Sequence, residues 1–344
     1  MRISQPSKAE LDSEVDRLAG KGLLGLGYTE AELERLAPTT WRIARLKEAT
    51  GSVVPAHVYQ RAEVTAGAAD LIGDSYALAK RCREAPQRRV VYCGVRFMAE
   101  TAKILSPEKE VVLPALDAGC SLADSVTAPE VRALKAAHPG AAVVCYINTT
   151  AEVKAECDAV VTSANAETIL RRLYERHRKV VFLPDEWMGR NLARALDKKL
   201  GTELVVWKGR CVVHQDFDAS AVAYYRKMYP GVKILAHSEC SPSLVEAVDF
   251  AGGTGGMMDF VRSTEAPCYM LVTECGLGEA ARLEMPGKRF IPMCRLCRYM
   301  KSTDLAGVAA ALEKPSKDQI IEVPEKVAER ARRALERMFE LAEG

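Results

Sequence analysis

The sequence lacks any strong excess of charge. Its 48 lysine and arginine residues nearly balance its 46 aspartate and glutamate residues, so the formal net charge is +2. A protein that binds nucleic acid or an anionic membrane through its overall field needs a clear positive excess. The composition therefore argues against both kinds of partner.

Long apolar runs are also missing. No stretch reaches the about 18 to 20 apolar residues of a membrane-spanning helix, and the polar start MRISQPSKAELDSE has no apolar segment typical of a secretory signal. We therefore expect a cytoplasmic protein. The 11 cysteines are odd in number and widely spread, unlike the framework of a small secreted domain. As thiols, some of them are candidates for chemistry or metal binding.

The pattern of apolar and polar residues changes near residue 51. Residues 1–50 have apolar residues at helical spacing, with a glycine-containing turn between helices. Later residues form short apolar runs, each followed by a polar turn and a helical segment, which is typical of parallel strands joined by crossover helices. The tail ends in a helix that begins at a proline and has one apolar stripe.

The strand-like runs recur in three sets of four. The first set is VVPAHVY, DLIGDS, VVYCGV and VVLPALDAGC; the second is VVCYIN, AVVTSAN, VVFLPDEWMG and LVVWKGRC; the third is KILAHSE, FAGGTG, YMLVTECGLG and FIPMCRLC. Polar landmarks keep near-constant offsets: 89 positions separate His57 from Tyr146, and 91 separate Tyr146 from His237. A chance alignment is the alternative, since α/β proteins repeat strand and helix anyway.

The repeat predicts an α/β fold of three pseudo-symmetric three-layer α/β/α units, each with a small parallel sheet, around a central site. Ligands bind at the carboxyl ends of such strands, so each unit would present its first, second and fourth strand ends to a shared centre. The predicted parts are an N-terminal helical segment at 1–50, units at 51–135, 136–225 and 226–300, and a C-terminal helical tail at 301–344 that packs on the body.

One cysteine closes each set: Cys120, Cys211 and Cys297. An iron-sulfur cubane held by three thiolates keeps one iron free of protein, and that iron is a Lewis acid. A zinc site built from Cys211, His214, Cys294 and Cys297 is an alternative, as is a thioredoxin-like pair of Cys294 and Cys297. The other cysteines are interpreted as small buried hydrophobic residues: Cys82, Cys93, Cys145, Cys157, Cys240, Cys268 and Cys275.

Polar side chains stand in pairs at the ends of the first strands. The members of a pair are two positions apart, so both leave the same face of the strand. Imidazoles, phenols, a carboxylate and an amide around one cavity suffice for proton transfer near neutral pH. For each histidine a structural, hydrogen-bonded role is the alternative. The pairs are His57 with Tyr59, Tyr146 with Asn148, and His237 with Glu239.

Hydroxyl residues mark the ends of the second strands, where helices begin. Ser75, Ser163 and Thr254 stand there, and hydroxyls with helix-terminal amides bind carboxylates or phosphates. Helix N-capping by each hydroxyl is the alternative, and we expect it to hold at least in part.

These landmarks resemble the quinolinate synthases of bacterial NAD biosynthesis over about residues 50 to 341. The segments that carry the resemblance occur in the same order as in that family: GVRFMAETAKILSPEKEVVLP, AGCSLADS, CYINTTAEVKA, DAVVTSAN, FLPDEWMGRN, WKGRCVVH, HSEC and CRYMK.

The resemblance implies a 4Fe-4S cluster bound by Cys120, Cys211 and Cys297, with a fourth iron that meets the substrate. Cys297 is preferred to Cys294 because the family's third ligand precedes a pattern like CRYMK. Cys294 then resembles a spare cysteine of some members, and we consider it a candidate redox partner of Cys297.

The resemblance also implies a transferase that condenses iminoaspartate with dihydroxyacetone phosphate to quinolinate, with release of phosphate and water. L-aspartate oxidase or aspartate dehydrogenase would supply the iminoaspartate. Tyr59, His237 and Glu239 would be catalytic and move protons. The substrate-binding residues would be His57, Ser75, Tyr146, Asn148, Ser163 and Thr254.

Two departures from the family pattern concern the substrate. Gly253 removes a hydroxyl that the family often has, and Arg96 replaces a frequent histidine with a fixed cation. Two other functions therefore stay open: a cluster-dependent hydro-lyase of another small dicarboxylate, and a non-catalytic iron-sulfur sensor.

Overall fold

Strands and helices alternate from residue 52 onward in a computed structural model, which describes residues 3–343. The strands are β1 (Ser52–Val53), β2 (Pro55–His57), β3 (Leu71–Gly73), β4 (Arg89–Val91), β5 (Glu110–Val112), β6 (Ala142–Tyr146), β7 (Ala159–Val161), β8 (Val180–Leu183), β9 (Leu204–Val206), β10 (Lys233–His237), β11 (Phe250–Gly252), β12 (Tyr269–Val272) and β13 (Phe290–Ile291).

The helices occupy the segments between and around these strands. They are α1 (Lys8–Gly20), α2 (Glu30–Thr50), α3 (Ala62–Gly67), α4 (Ser75–Glu84), α5 (Arg96–Leu105), α6 (Ala128–Ala137), α7 (Ala151–Lys154), α8 (Ala166–Tyr174), α9 (Glu186–Ala195), α10 (Ser220–Met228), α11 (Pro242–Ala247), α12 (Thr254–Ser263), α13 (Cys275–Glu284), α14 (Leu305–Glu313) and α15 (Glu325–Glu343). Within the described part of the chain, none of them has the length and apolar character needed to cross a membrane.

The chain divides into two compact units. The first contains the residues up to Ala118 together with Cys275–Lys288 and Leu296–Glu322. The second contains Gly119–Glu274, Arg289–Arg295 and the residues from Val323 on. The boundaries of the three units that the repeat predicts remain a prediction.

Each predicted set of four runs forms parallel strands in the same order. In the second unit, β7-β6-β8-β9 make one sheet and β11-β10-β12-β13 make another. In the first unit the order is equivalent but the first strand is interrupted: β2 pairs with β3, β1 pairs with β4, and β4 pairs with β5. A bridge between Ala56 and Cys93 continues the pairing beyond the interruption. The predicted α/β class, with small parallel sheets flanked by helices, is confirmed.

A repeated aspartate explains how the first two strands of each set are joined. Asp70, Asp158 and Asp249 each stand just before the second strand. Their Oδ2 atoms accept hydrogen bonds from the amides of Val54 (2.8 Å), at the interruption between β1 and β2, and of Val143 (2.7 Å) and Ile234 (3.0 Å), in β6 and β10. Each aspartate also pairs with a lysine in its own unit. We call these residues the strand-joining aspartates.

The N-terminal helices belong to the core of the first unit. Ile43 and Leu46 of α2 pack with Val54 and Val91 of the strands and with Leu312 of α14. The predicted turn between the first helices is present, because glycines 22 and 27 have positive φ on either side of a 3-10 turn. In the second unit, α15 packs on α7, β7 and α8 through its apolar stripe.

Candidate functional site

The carboxyl ends of two first strands meet in the second unit. Tyr146 is the last residue of β6 and His237 is the last residue of β10. Glu239 follows two residues after His237, and its Oε1 accepts a hydrogen bond of 2.7 Å from the Tyr146 hydroxyl. All three side chains are buried. The structure therefore brings together three of the predicted site residues, although 93 positions separate the phenol from the carboxylate.

His214 joins this group to a predicted cluster ligand. Its Nδ1 lies 2.9 Å from Glu239 Oε2 and 3.3 Å from Cys211 Sγ, and its Nε2 lies 3.0 Å from Thr273 Oγ1. The imidazole also stacks on His237, with 4.5 Å between ring centroids. Donor atoms of Cys211, His214 and Glu239 all lie within 4.8 Å of one another, a set that suits a metal ion or a hydrogen-bonded network beside one.

Burial and neighbouring groups set the charges of this network. Burial alone would raise the pKa of the Glu239 carboxyl, but the interaction with His214 and the hydrogen bonds from His214 and Tyr146 lower that pKa below its ordinary value. Burial lowers the pKa of His237 to about 4. At neutral pH the Glu239 carboxylate therefore lies beside the neutral imidazole of His237.

Ser121 holds the segments of two predicted cluster ligands together. Its Oγ donates to the carbonyl of Arg210 (3.3 Å) and accepts from the amide of Val212 (3.2 Å), the two residues that flank Cys211. Ser121 is itself the neighbour of Cys120. Burial raises the pKa of the Cys211 thiol, and the charges of Glu239 and Cys120 raise it further. The second unit thus contributes two of the three predicted thiols to one place.

The hydroxyls at the second-strand ends do not cap their helices, so that expectation is wrong. The N-cap residues of α4, α8 and α12 are Asp74, Asn165 and Gly253. Ser75 and Thr254 are instead the first residues of their helices, and Ser163 precedes the cap of α8. Each capping residue lies one or two positions from the predicted hydroxyl residue. Residue type alone does not fix the position of a helix end so closely.

The structure accounts for Gly253, the departure from the family pattern. A Cβ placed on Gly253 would lie 2.5 Å from Ser163 Oγ and 3.1 Å from Ser163 Cβ. The backbone of Gly253 therefore packs directly against Ser163, at the start of the helix that begins with Thr254. Two of the predicted anion-binding residues, Ser163 and Thr254, therefore lie next to Gly253.

The first unit holds His57, Tyr59 and Cys297. His57 ends β2, and its Nδ1 accepts a hydrogen bond of 3.1 Å from the Tyr59 amide, the same turn that His237 makes with Glu239 (3.3 Å). The rings of His57 and Tyr59 are edge to face at 4.7 Å. Lys301 donates to the Tyr59 carbonyl (2.7 Å), and the Lys301 amide bonds the carbonyl of the half-buried Cys297 (3.0 Å).

The predicted cluster ligands differ from two other cysteines in their oxidation state. Cys120, Cys211 and Cys297 are half-buried thiols outside disulfides, whereas Cys294 and Cys275 are disulfide-bonded. The interpretation of Cys275 as a simple buried hydrophobe is therefore wrong, and a zinc site or dithiol that uses Cys294 does not fit. The other six cysteines are buried thiols, as expected: Cys82, Cys93, Cys145, Cys157, Cys240 and Cys268.

Sequence reasoning missed three members of the site. His214 was noted only as a zinc ligand, and Ser121 and Thr273 were not considered. The adjacency of Ser121 to Cys120 and the three-residue spacing of Cys211 and His214 were the available signals. Their partners lie 25 to 91 positions away, and no local pattern encodes such contacts.

The fold and the site define an α/β protein whose thiols, imidazoles and carboxylate gather at the carboxyl ends of parallel strands. Residues 41–340 match the family described as "NadA: Quinolinate synthetase A protein". The chain belongs to this family.

Relatives of known name agree with that assignment. "Quinolinate synthase 2" of Mesorhizobium japonicum is 40% identical over 339 residues, which cover 98% of this chain and 99% of that protein. "Quinolinate synthase" of Xylella fastidiosa is 42% identical over 297 residues, 86% of this chain and 85% of that protein. "Quinolinate synthase" of Caulobacter vibrioides is 40% identical over 315 residues, 91% of this chain and 84% of that protein.

Proposed function

We propose that this chain is a quinolinate synthase, a transferase that condenses iminoaspartate with dihydroxyacetone phosphate and releases phosphate and water. The family and the names of the relatives support the proposal. The observation that carries it is the buried hydrogen-bonded chain from Tyr146 through Glu239 and His214 to Cys211. This chain joins the groups expected to bind substrate and move protons to an expected cluster ligand.

We propose that Cys120, Cys211 and Cys297 hold a 4Fe-4S cluster. The first two fit this role because Ser121 ties their segments together and neither thiol is in a disulfide. Cys297, in the other unit, is likewise a half-buried thiol, whereas its neighbour Cys294 is oxidised. When bound, such a cluster supplies an iron that lacks a protein ligand and can polarise a hydroxyl or carbonyl of the substrate.

Helix N-termini would bind the anionic groups of the substrates. Ser75 opens α4 and Thr254 opens α12, so each hydroxyl stands beside amides that have no partner within the helix, and in α4 the Asp74 side chain already accepts from one of them, the Ala77 amide. Ser163 packs against Gly253 at the start of α12. A carboxylate or phosphate at these positions would accept hydrogen bonds from both side chain and backbone.

Proton transfer falls to residues at the first-strand ends. The backbone amide of Glu239 donates to Nδ1 of His237, so a neutral His237 carries its hydrogen on Nε2 and can donate a hydrogen bond from there to a substrate oxygen. The Glu239 carboxylate can accept a proton, and Tyr146 with Asn148 would orient the substrate. Tyr59, beside His57, is the third proposed proton carrier. These side chains would serve the isomerisation and dehydration steps.

Iminoaspartate must come from another enzyme. We propose L-aspartate oxidase or aspartate dehydrogenase as the functional partner, acting with this protein in the cytoplasm.

A turnover assay tests the proposed function. Anaerobically reconstituted protein is mixed with iminoaspartate and dihydroxyacetone phosphate, and quinolinate and phosphate are measured together. We expect equal amounts of the two products, and none from the metal-free protein. Loaded protein that releases no phosphate would favour the sensor, and turnover of another dicarboxylate instead would favour the hydro-lyase.

A further inference from the structure

A fully buried lysine holds the backbone around Asn148. Lys154, the last residue of α7, is 0% exposed. Its ammonium donates to the carbonyl of Ile147 (2.8 Å) and to the carbonyl of Thr149. These carbonyls belong to the two neighbours of Asn148, which follows the end of β6. The lysine therefore bridges the backbone on both sides of a predicted substrate-binding residue.

Asn191 makes the equivalent bridge around Glu239. Its Nδ2 donates to the carbonyls of Ser238 and Cys240, both at 2.9 Å. Asn191 lies in α9 and is buried, and its Oδ1 has no hydrogen-bond partner among the described residues. The side chain thus contributes its hydrogen bonds through Nδ2, to the two neighbours of the carboxylate that accepts from Tyr146.

Such a bridge restricts the residue between the two carbonyls. The carbonyl before a residue and the carbonyl after it are separated by that residue's φ and ψ and by those of the next residue. Fixing both carbonyls to one side chain therefore limits these torsions and the direction in which the enclosed side chain leaves the backbone. Burying an ammonium costs several kcal/mol unless its donors are well satisfied, so Lys154 binds this segment in a defined geometry.

We propose that Lys154 and Asn191 are positioning residues, which orient Asn148 and Glu239 through the backbone for the reaction. The inference rests on the proposed function, because it assigns the effect to turnover. Reacting groups displaced by about 1 Å can lose about 100-fold in rate. We therefore expect Lys154→Met and Asn191→Leu to lower kcat/KM by about 10- to 100-fold.

The two variants should differ in how they lose activity. Lys154→Met releases a substrate-orienting residue, so KM should rise and kcat should fall. Asn191→Leu releases the carboxylate that accepts a proton, so kcat should fall with little change in KM. General destabilisation of the fold would not separate the two parameters in this way.

Double-mutant cycles test whether each residue acts through its enclosed partner. Lys154→Met should cost much less in an Asn148→Ala background than in the native protein, and Asn191→Leu much less in a Glu239→Gln background. Additive losses in kcat/KM would overturn the proposal. If Lys154→Met does not fold, Lys154→Gln, which keeps amide donors near the same carbonyls, enters the same cycle.

Lys109 provides a matched control. It is also a buried lysine, and its ammonium donates to the carbonyls of Cys82 (2.6 Å), Arg83 (3.4 Å) and Ala85 at the end of α4. Lys109→Met should lower the melting temperature to a similar extent as Lys154→Met but leave kcat and KM unchanged. An equal loss of activity in both variants would overturn the positioning role.

Hydrogen exchange gives a result that is independent of turnover. Backbone amides at residues 147–150 should exchange faster in Lys154→Met, and those at 238–241 faster in Asn191→Leu, with neither affected by Lys109→Met. Unchanged exchange would refute the positioning inference even in an active enzyme. Absence of quinolinate formation by the native protein would instead refute the proposed function and leave this exchange test valid.

Discussion

At the scale of single residues, close packing explains a substitution that the sequence made puzzling. Gly253 replaces a hydroxyl residue that the family often has, which suggested a weakened anion site. The structure shows that Ser163 fills the space where a side chain would lie. The backbone of Gly253 therefore packs directly against Ser163, which belongs to a different strand end.

Adding a methyl group at this position should disturb the site. Gly253→Ala brings a Cβ to 2.5 Å from Ser163 Oγ, so either the serine or the helix start must move. We expect a loss of about 1–3 kcal/mol in the free energy of unfolding from overpacking, together with a higher KM for the phosphate-bearing substrate. Chemical denaturation and steady-state kinetics measure both.

Gly278→Ala is the control for this prediction. Gly278 lies inside α13, and a Cβ there would have no atom within 4 Å. Helix propensity then predicts a gain of about 0.5–1 kcal/mol. Equal stability changes in the two variants would contradict the role assigned to the contact between Gly253 and Ser163.

Residue types and spacing predicted several residues that the structure brings together. Tyr146, His237 and Glu239 were found because each pair of polar residues ends a strand, a local pattern. His214 and Ser121 were not assigned their positions because their contacts join segments distant in sequence. Ser75 and Thr254 open their helices as expected, whereas Ser163 lies two residues before the cap of α8, because the capping residue depends on backbone angles that the sequence does not specify.

At the scale of elements, the strand-joining aspartates explain why each set of runs folds in the same way. Each carboxylate bonds the backbone of the first strand just before the second strand begins. The apolar runs predicted the strands correctly, because buried parallel strands need continuous apolar residues. The aspartates were missed because an aspartate in a turn has many common roles.

Loss of one such carboxylate should weaken its sheet. Asp249 accepts from the amide of Ile234 and pairs with Lys233, and hydrogen bonds to charged groups contribute about 1.5–3 kcal/mol. We expect Asp249→Ala to lower the free energy of unfolding by about that amount. Asp259→Ala, at a 76% exposed side chain of α12, should change it by less than about 0.5 kcal/mol. Equal effects in urea denaturation would contradict this role.

At the scale of the whole molecule, the α/β class follows from the alternation of apolar runs and helical segments. Cys275–Lys288 and Leu296–Glu322 belong to the same compact unit as the residues up to Ala118, although both segments lie far from those residues along the chain. Which distant segments join one unit depends on which surfaces pack together. The sequence repeat carries no signal for this packing.

The stability of the molecule should depend on pH through Glu156. Burial alone would raise the pKa of this carboxyl, but hydrogen bonds from Arg330 and Arg132 lower it below its ordinary value of 4.5. A carboxyl with a lowered pKa stabilises the folded state above that value, and this contribution is lost as the pH falls below it. Arg330 belongs to α15, so the ion pairs connect this helix to α6 and to the end of α7.

Glu156→Gln should therefore be less stable than the native protein by about 1 kcal/mol at pH 7. The difference should shrink as the pH falls below 4.5 and through the lowered pKa of Glu156, because the native side chain then becomes neutral like that of the glutamine variant. Glu329→Gln, which affects an exposed pair on α15, is the control and should show little difference at any pH. A difference that does not shrink as the pH falls below 4.5 would contradict the account of Glu156.

Cys120, Cys211 and Cys297 are proposed to bind one cluster, and the metal content of serine variants tests this proposal. Iron and acid-labile sulfide are measured in anaerobically reconstituted native protein, in Cys120→Ser, Cys211→Ser and Cys297→Ser, and in the control Cys268→Ala, which changes a buried thiol. We predict about four iron and four sulfide per chain in the native protein and control, and a marked loss in each serine variant. Full cluster content in any of these three variants would contradict the claim.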